Sequence, residues 1–473
     1  MCNNCQLNSR EISIAELHVH SDYSNLVTRD STNKVDALLS KAVELNRVGL
    51  ALTDHETISG HIKISQAYNK MKKSDKIPED FKLMLGNEIY LVDSLENVRD
   101  NYEGGGVTRF PHFLLIAKDA KGHQMIRELS SQAWKQSFVT GIMRRRPTTE
   151  QQLSDKLEGN QGHLFGTSAC LGSQSSIYIL NGEYEKAKEY NLWCESIFGK
   201  GYFFLEIQPA TSEEQIIVNK ALVQIHEETN IPLVVTSDVH YLRPEDAEVH
   251  SAFLNSEEGV DRETEKFYAH TYMHTFDEMY EKMSYLPQEY INQAIRNTVK
   301  ISEQCESYSL ESPTEIPRIN LEEESFELLH MFENYYEQFP YIKNMAFSDE
   351  IQDRYLLHKV EVGFIEKRPR NTLSKEKLLQ ILVALNNEMR ELWEMSKNMN
   401  QAMSAYYVTT AKLVELIWGD DYCSPEETFE KGSLVGVGRG SAGAWEINYL
   451  LGITQISPLD FEGVVIPHWR LVK

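Results

Sequence analysis

Six short stretches of the chain carry side chains suited to divalent-cation chemistry. His18 and His20 form an H-x-H pair in ELHVHSDYS, and Asp54 and His55 end LALTDH. Glu88 lies in LGNEIYL, His112 opens HFLLIA, and Cys170 follows TSA. Asp238 and His240 repeat the i, i+2 spacing in VTSDVHY. Imidazole, carboxylate and thiolate are the groups by which proteins hold Zn²⁺, Mn²⁺ and similar ions. Residues at i and i+2 of an extended segment point to one face, so each pair can serve one centre. So many candidate ligands suggest more than one ion. In such a site one ion activates water and another stabilises an oxygen of the phosphodiester under attack.

The elements that must position these groups are apolar runs at Val48–Thr53, Lys82–Tyr90, Phe113–Ala117, His163–Thr167, Tyr202–Ile207 and Pro232–Thr236. Between them lie segments with helical spacing, such as Lys34–Glu44 and Ile216–Glu228. Strands alternating with helices predict parallel β/α units, and many in succession predict a barrel whose strand ends converge on one mouth. A single histidine is more often a core or surface residue than a ligand; the recurrence of ligand types at successive strand ends carries the reading. His61, His123 and His226 fall within helical stretches and are left out of the centre.

The 473 residues are enough for two or three domains. Hydrophobic residues at 41% and charged residues at 25% describe an ordinary globular chain. A net charge of −24 excludes a protein that coats nucleic acid non-specifically, but not an enzyme with a local basic groove. No apolar run is long enough to span a bilayer, and the first residues lack a signal-peptide pattern, so a cytoplasmic location and no membrane partner are expected. Six scattered cysteines do not make a disulfide framework; Cys2 and Cys5 are expected to be two thiols on a frayed terminus. After about residue 258 the strand runs fade. Phe276–Cys305 and much of 321–430 read as helix, and a glycine-rich turn follows.

The motifs HVHSDYS, LTDHETISGH, GNEIYL, HFLLIAKD, TSACLG and SDVHY resemble, in order, those of the polymerase and histidinol phosphatase (PHP) domain. They are most similar to the version at the head of the alpha subunit of bacterial and phage DNA polymerase III, a C-family replicative DNA polymerase. The resemblance implies an α/β fold: a distorted seven-stranded β/α barrel, then a mostly helical thumb and an incomplete palm. It implies metal ligands at His18, His20, Asp30, His55, Glu88, His112, Cys170, Asp238 and His240. Of these, His18, His20, Glu88, Asp238 and His240 would be catalytic in a 3′–5′ exonuclease, with two or three Mn, Zn or Mg ions. Asp54 would orient His55.

VGVGRGSAGAWEINYLLGITQISPLDF resembles the palm motif of the same family. Glycines 436, 438 and 440 let backbone amides approach an anion, Arg439 can pair with phosphate, and Ser441 is expected at a helix N-terminus. By resemblance, Gly438, Arg439, Gly440 and Ser441 would hold a deoxynucleoside triphosphate. The implied domains are the PHP domain over 1–258, a first palm segment over 259–341, the thumb over 342–430 and a palm segment over 431–473. The family's aspartate-rich palm motif does not follow the glycine turn, so polymerisation on a DNA primer-template is expected to need a second polypeptide, as from a split gene. The triplet Arg144, Arg145, Arg146 is a candidate DNA contact, as is Lys367-Arg368-Pro369-Arg370. Two other readings stay open: a standalone phosphoesterase, for which the glycine turn has no use, and a metal-free scaffold.

Overall fold

The computed structural model describes residues 13–103, 109–140, 143–256, 268–368, 373–418, 435–438 and 440–461. The chain divides into two compact units, Met1–Glu311 and Ser312–Lys473.

Unbroken apolar runs such as GLAL are stable only where both faces of a strand are covered. The first unit satisfies this with a curled sheet. Its strands are β1 (Ala15–Glu16), β2 (Gly49–Leu52), β3 (Lys82–Val92), β4 (His112–Ala117), β5 (Phe138–Thr140), β6 (Met143–Arg145), β7 (Pro147–Thr149), β8 (Leu164–Thr167), β9 (Phe203–Ile207) and β10 (Leu233–Val235). Seven of them pair in the order β1-β2-β3-β4-β8-β9-β10; β7 adds to β3, and β5 and β6 form a separate hairpin. A parallel bridge between Val19 and Val239 joins the two ends of this path. Val239 N donates to His18 O and His20 N donates to Val239 O, both at 3.0 Å. The sheet thereby closes into the expected barrel.

One strand departs from the parallel pattern. β4 runs antiparallel to both β3 and β8, with Tyr90 opposite His112. The reversal explains why His112, at the start of its strand, reaches the same mouth as residues that follow theirs.

Helices cover the outside of the sheet. Ala120–Lys135 buries Met125, Ile126 and Leu129, and Glu213–Thr229 buries Val218, Leu222 and Ile225. The helix Gln288–Gln304 buries Ile291, Ile295 and Ile301 in the same way. Its Thr298 Oγ1 accepts from Ala15 N at 3.1 Å and Asn297 Nδ2 donates to Leu233 O at 2.8 Å, which fixes it against the first and last strands. The helix Gln288–Gln304 therefore packs with the barrel, and the border between compact units falls after Glu311.

In the second unit the helices Pro340–Ala346, Ile351–Lys367, Lys375–Met399 and Ser404–Trp418 surround a core that includes Phe332, Leu357, Phe364, Leu385 and Trp445. The short helix Glu446–Leu450 closes onto them. Gly363 permits this approach, because a Cβ there would lie 2.0 Å from the Leu450 carbonyl oxygen. The buried Glu388 carboxylate accepts from the backbone N–H groups of Glu446 and Ile447, both at 2.8 Å. These are the first free donors of that helix, which a carboxylate satisfies well.

Burial outweighs those two bonds and pushes the Glu388 carboxyl up from 4.5 to about 8. A carboxyl raised in the folded state makes its full contribution to stability below about 4.5 and loses it as pH rises through about 8. We expect the urea midpoint of this unit to fall between pH 5 and pH 8, with a shallower fall in Glu388→Gln. Parallel pH profiles for the two proteins would refute this assignment.

Candidate metal centre

The candidate ligands converge at the barrel seam. His18 and His20 leave β1 on one side of the Val19–Val239 bridge, and Asp238 and His240 leave β10 on the other. His18 Nε2 lies 3.4 Å from Glu88 Oε2 and 3.3 Å from Asp238 Oδ1. His20 Nε2 lies 3.2 Å and 3.3 Å from the same two oxygens. His55 stands between Asp30 Oδ2 at 3.0 Å and Glu88 Oε2 at 2.9 Å. His112 Nδ1 is 2.8 Å from Glu88 Oε1, with Cys170 Sγ 3.3 Å from the same nitrogen. His240 Nε2 faces Asp30 Oδ2 at 3.9 Å.

Three groups of ligand atoms can each embrace an ion: His20, His55 and His240; His18, His20 and Glu88; and His55, Glu88 and His112. Within each, the atoms lie no more than 4.8 Å apart. Glu88 belongs to two groups, so its carboxylate is placed to be shared.

The side chains fit a cation on their own chemistry. His18 Nε2, His20 Nε2, His55 Nδ1, His240 Nε2, Glu88 Oε2, Asp30 Oδ1 and Asp238 Oδ1 are buried and make no hydrogen bond. Buried polar atoms otherwise almost always make hydrogen bonds, so this concentration of seven without one points to cations held among them. Nitrogens and oxygens bound about 2.1 Å from one tetrahedral ion stand roughly 3.4 Å apart, close to the spacings at His18 and His20. Asp238 is held at φ +48°, a conformation uncommon outside glycine that is found where surrounding contacts impose it.

Three imidazoles are aimed by a hydrogen bond on the opposite ring nitrogen. His18 Nδ1 bonds Glu206 Oε1 at 2.7 Å, His20 Nδ1 bonds Ser24 Oγ at 3.1 Å, and His240 Nδ1 bonds the Asp238 carbonyl at 2.8 Å. Each leaves Nε2 facing the centre, the arrangement metal-ligating histidines adopt. Asp54 does not orient His55 directly. Its carboxylate accepts from Ser21 N, Ser21 Oγ and Ser24 Oγ, and Ser24 Oγ in turn meets His20 and the His55 amide. Asp54 thus acts through serines that the sequence reading passed over.

Burial disfavours charge throughout the centre, but opposite charges win at most positions. The neighbouring histidines hold Glu88 and Asp238 below the usual carboxylate range despite burial. Asp238, Glu206 and Glu88 raise His18 against its own burial, as Asp30 and Glu88 raise His55. Burial, reinforced by His20, lowers His240 to about 3, and burial pushes the Cys170 thiol up. Protons on imidazoles offset the carboxylate charge here, and divalent cations would replace them in that role.

Glu206 is the functional residue that sequence reasoning missed. It sits inside the apolar run YFFLEI, 1% exposed, and accepts from His18, from Thr167 and Thr236 hydroxyls and from Gln208. A lone glutamate on a fully buried strand is the signal that marked it. Removing such a partner of a ligand histidine costs about 10–100-fold in metal affinity. We expect Glu206→Gln to weaken Mn²⁺ binding in that range by calorimetry; unchanged affinity would make Glu206 purely structural.

The other candidates are distributed differently. Arg144 is exposed and bonds Ser137 Oγ at 3.1 Å, and Arg145 lies over the Phe110 ring at 4.6 Å. Arg146 is buried with its guanidinium 4.0 Å over Trp134, so it is turned away from a phosphate role. His61 and His123, set aside in the sequence, form a separate buried pair at 3.0 Å. In the second unit Gly438, Gly440 and Ser441 are exposed, with Gly440 at φ +59°; Arg439 lies outside the described residues, as do Cys2 and Cys5. Ser441 belongs to a 3₁₀ turn, Gly440–Ala444, rather than to the start of an α-helix. The α-helix begins at Glu446, where Glu388 already takes the free amides. Lys367 and Arg368 are turned inward to the Tyr449 carbonyl and to Glu446 and Asp460; Pro369 and Arg370 lie outside the described residues.

A curled seven-stranded sheet with this set of histidines, carboxylates and a thiol at its seam defines a PHP domain, and the PHP domain family matches residues 16–210. The family described as the bacterial DNA polymerase III alpha NTPase domain matches residues 354–472. The chain is similar to the DNA-directed DNA polymerase of Bacillus phage SPbeta and to the protein named "Probable DNA polymerase YorL" of Bacillus subtilis strain 168. Each is 46% identical over 467 residues, covering 96% of this chain and 35% of the relative. DNA polymerase III subunit alpha of Borreliella burgdorferi is 28% identical over 454 residues, covering 94% and 33%. The chain spans about a third of the length of these relatives. Among the described residues no helix is long and apolar enough to cross a membrane.

Proposed function

We propose that this chain forms part of a replicative DNA polymerase and that its barrel removes nucleotides from DNA 3′ ends as a metal-dependent exonuclease. The observation that carries the reading is the set of seven buried, unbonded ligand atoms converging at the seam. His18, His20, Asp30, His55, Glu88, His112, Cys170, Asp238 and His240 would hold two or three Mn, Zn or Mg ions. Such ions supply Lewis acidity toward phosphoryl oxygens and a nucleophile at neutral pH. The chain's own part is to orient the ligand rings through Glu206, Ser24 and the Asp238 carbonyl, and to keep most of the centre out of bulk water.

In the same proposal the exposed turn around Gly438 and Gly440 meets the incoming deoxynucleoside triphosphate, and residues 342–430 grip primer-template as a thumb. Purified protein incubated with Mn²⁺ should shorten a 3′-labelled oligonucleotide, while the His20→Ala/Asp238→Ala protein should not. Release of phosphate from sugar phosphates alone would assign the barrel to small monoesters instead.

A further inference from the structure

One side of the centre is open. His112 has 22% of its side chain exposed, whereas the other eight candidate ligands are buried. From His112 a continuous series of rings and guanidinium groups runs to the surface. The His112 ring lies 5.4 Å from Tyr90, Tyr90 lies 6.4 Å from Phe110, and Phe110 lies 6.2 Å from Phe138 on the β5–β6 hairpin. Arg145 covers Phe110 at 4.6 Å and Arg99 covers Phe138 at 5.2 Å. Tyr90 is buried and also faces His55 at 6.0 Å, so it ties the series to the ligands.

We propose that Phe110 and Phe138, interleaved with Arg99 and Arg145, form a stacking platform for the last bases of single-stranded DNA, leading its 3′ end to His112 and the metal centre. The proposal rests on the exonuclease reading above and specifies how that site takes its substrate. Aromatic faces that alternate with cations are how proteins hold single strands without reading sequence, since every base has a face to stack and every step a phosphate to neutralise. Phe110, just before β4, and Phe138, on the β5–β6 hairpin, are only half-buried, and that hairpin is separate from the main sheet. A ring placed merely to stabilise a two-stranded hairpin gains most when fully covered. Here two rings keep exposed area beside the open ligand. Arg99 and Arg145 lie over these rings, and Arg144 bonds Ser137 beside Phe138, on a chain whose net charge is −24.

The test is fluorescence anisotropy of the full chain with 5′-labelled oligothymidine, using Ca²⁺ in place of Mn²⁺ to stop hydrolysis. A second oligonucleotide carries abasic sites at its three 3′-terminal positions, and a third carries them at the 5′ end. The wild type should bind the intact strand at least about tenfold more tightly than the 3′-abasic strand, the effect of one or two lost base stacks. The 5′-abasic strand should bind as the intact one does. Phe110→Ala/Phe138→Ala should bring the preference to within about twofold, and Phe110→Trp/Phe138→Trp should retain it. Equal wild-type binding of all three strands would overturn the platform without any variant, as would a preference that survives the double alanine substitution. Preferential binding without Mn²⁺-dependent shortening would instead reject the exonuclease reading and leave the platform standing.

Discussion

Glu88→Gln should empty much of the barrel of its ions and reduce Mn²⁺-dependent shortening of a 3′-labelled oligonucleotide by more than about 100-fold. Even partners that touch only the back of a ligand cost about 10–100-fold, and Glu88 is nearer the chemistry than any of them. Its two oxygens approach His18, His20, His55 and His112, and it is common to two of the three ligand groups. Glutamine matches the shape but brings no charge, and it presents an amide donor where lone pairs converge. His18, His20 and His55, which its charge stabilises when protonated, would lose that support as well. Elemental analysis and the oligonucleotide assay read the two consequences separately. A glutamine variant that keeps wild-type metal and activity would remove Glu88 from the centre.

Gly363→Ala should destabilise the second unit by about 3 kcal/mol, the upper part of the range for overpacking a tight contact. The added carbon meets a backbone oxygen at 2.0 Å, with the Leu450 carbonyl carbon at 2.8 Å, and neither can rotate away as a side chain would. Relief requires the helix Ile351–Lys367 and the segment Glu446–Leu450 to separate. That would pull Glu446 and Ile447 off Glu388 and loosen Trp445 in the core. Urea unfolding followed by tryptophan fluorescence reports the loss, with barrel metal content as an internal reference. A midpoint equal to wild type would mean that the contact at Leu450 is slack.

All the ligands but Asp30 could be read from the chain because each sits next to an apolar run, where the polar residue type contrasts with its neighbours; Asp30, in a loop, was pointed to only by the family resemblance. His18, His20, Asp238 and His240 add the i, i+2 spacing, and the structure brings all four to one seam. The reversed direction of β4 was not legible: HFLLIA reads identically whichever way the strand runs, and only pairing with β3 and β8 decides it. Glu206 escaped for a related reason. Its meaning comes from His18, 188 residues away, and from two threonines, Thr167 at the end of β8 and Thr236 just after β10. Ser441 stands at the start of a short 3₁₀ turn, while the first donors of the α-helix that follows are taken by Glu388, 58 residues upstream of Glu446. Local pattern reveals which side chains are chemically capable; which partners they find depends on pairings far apart in the chain. The arginine triplet illustrates the limit, since alternation along the strand and its end sends three identical residues to exposed, half-buried and buried positions.

The closure of the barrel between Val19 and Val239 bears on how the centre comes into being. Its donors are drawn from residue 18 to residue 240, so a nascent chain emerging from the ribosome has no complete cage until the last of them is available. Bringing such distant positions together is a slow, entropically costly step of folding. Cations that bind on both sides of the join would act as a clasp between the earliest and latest strands made, so that loading marks the end of maturation rather than its beginning.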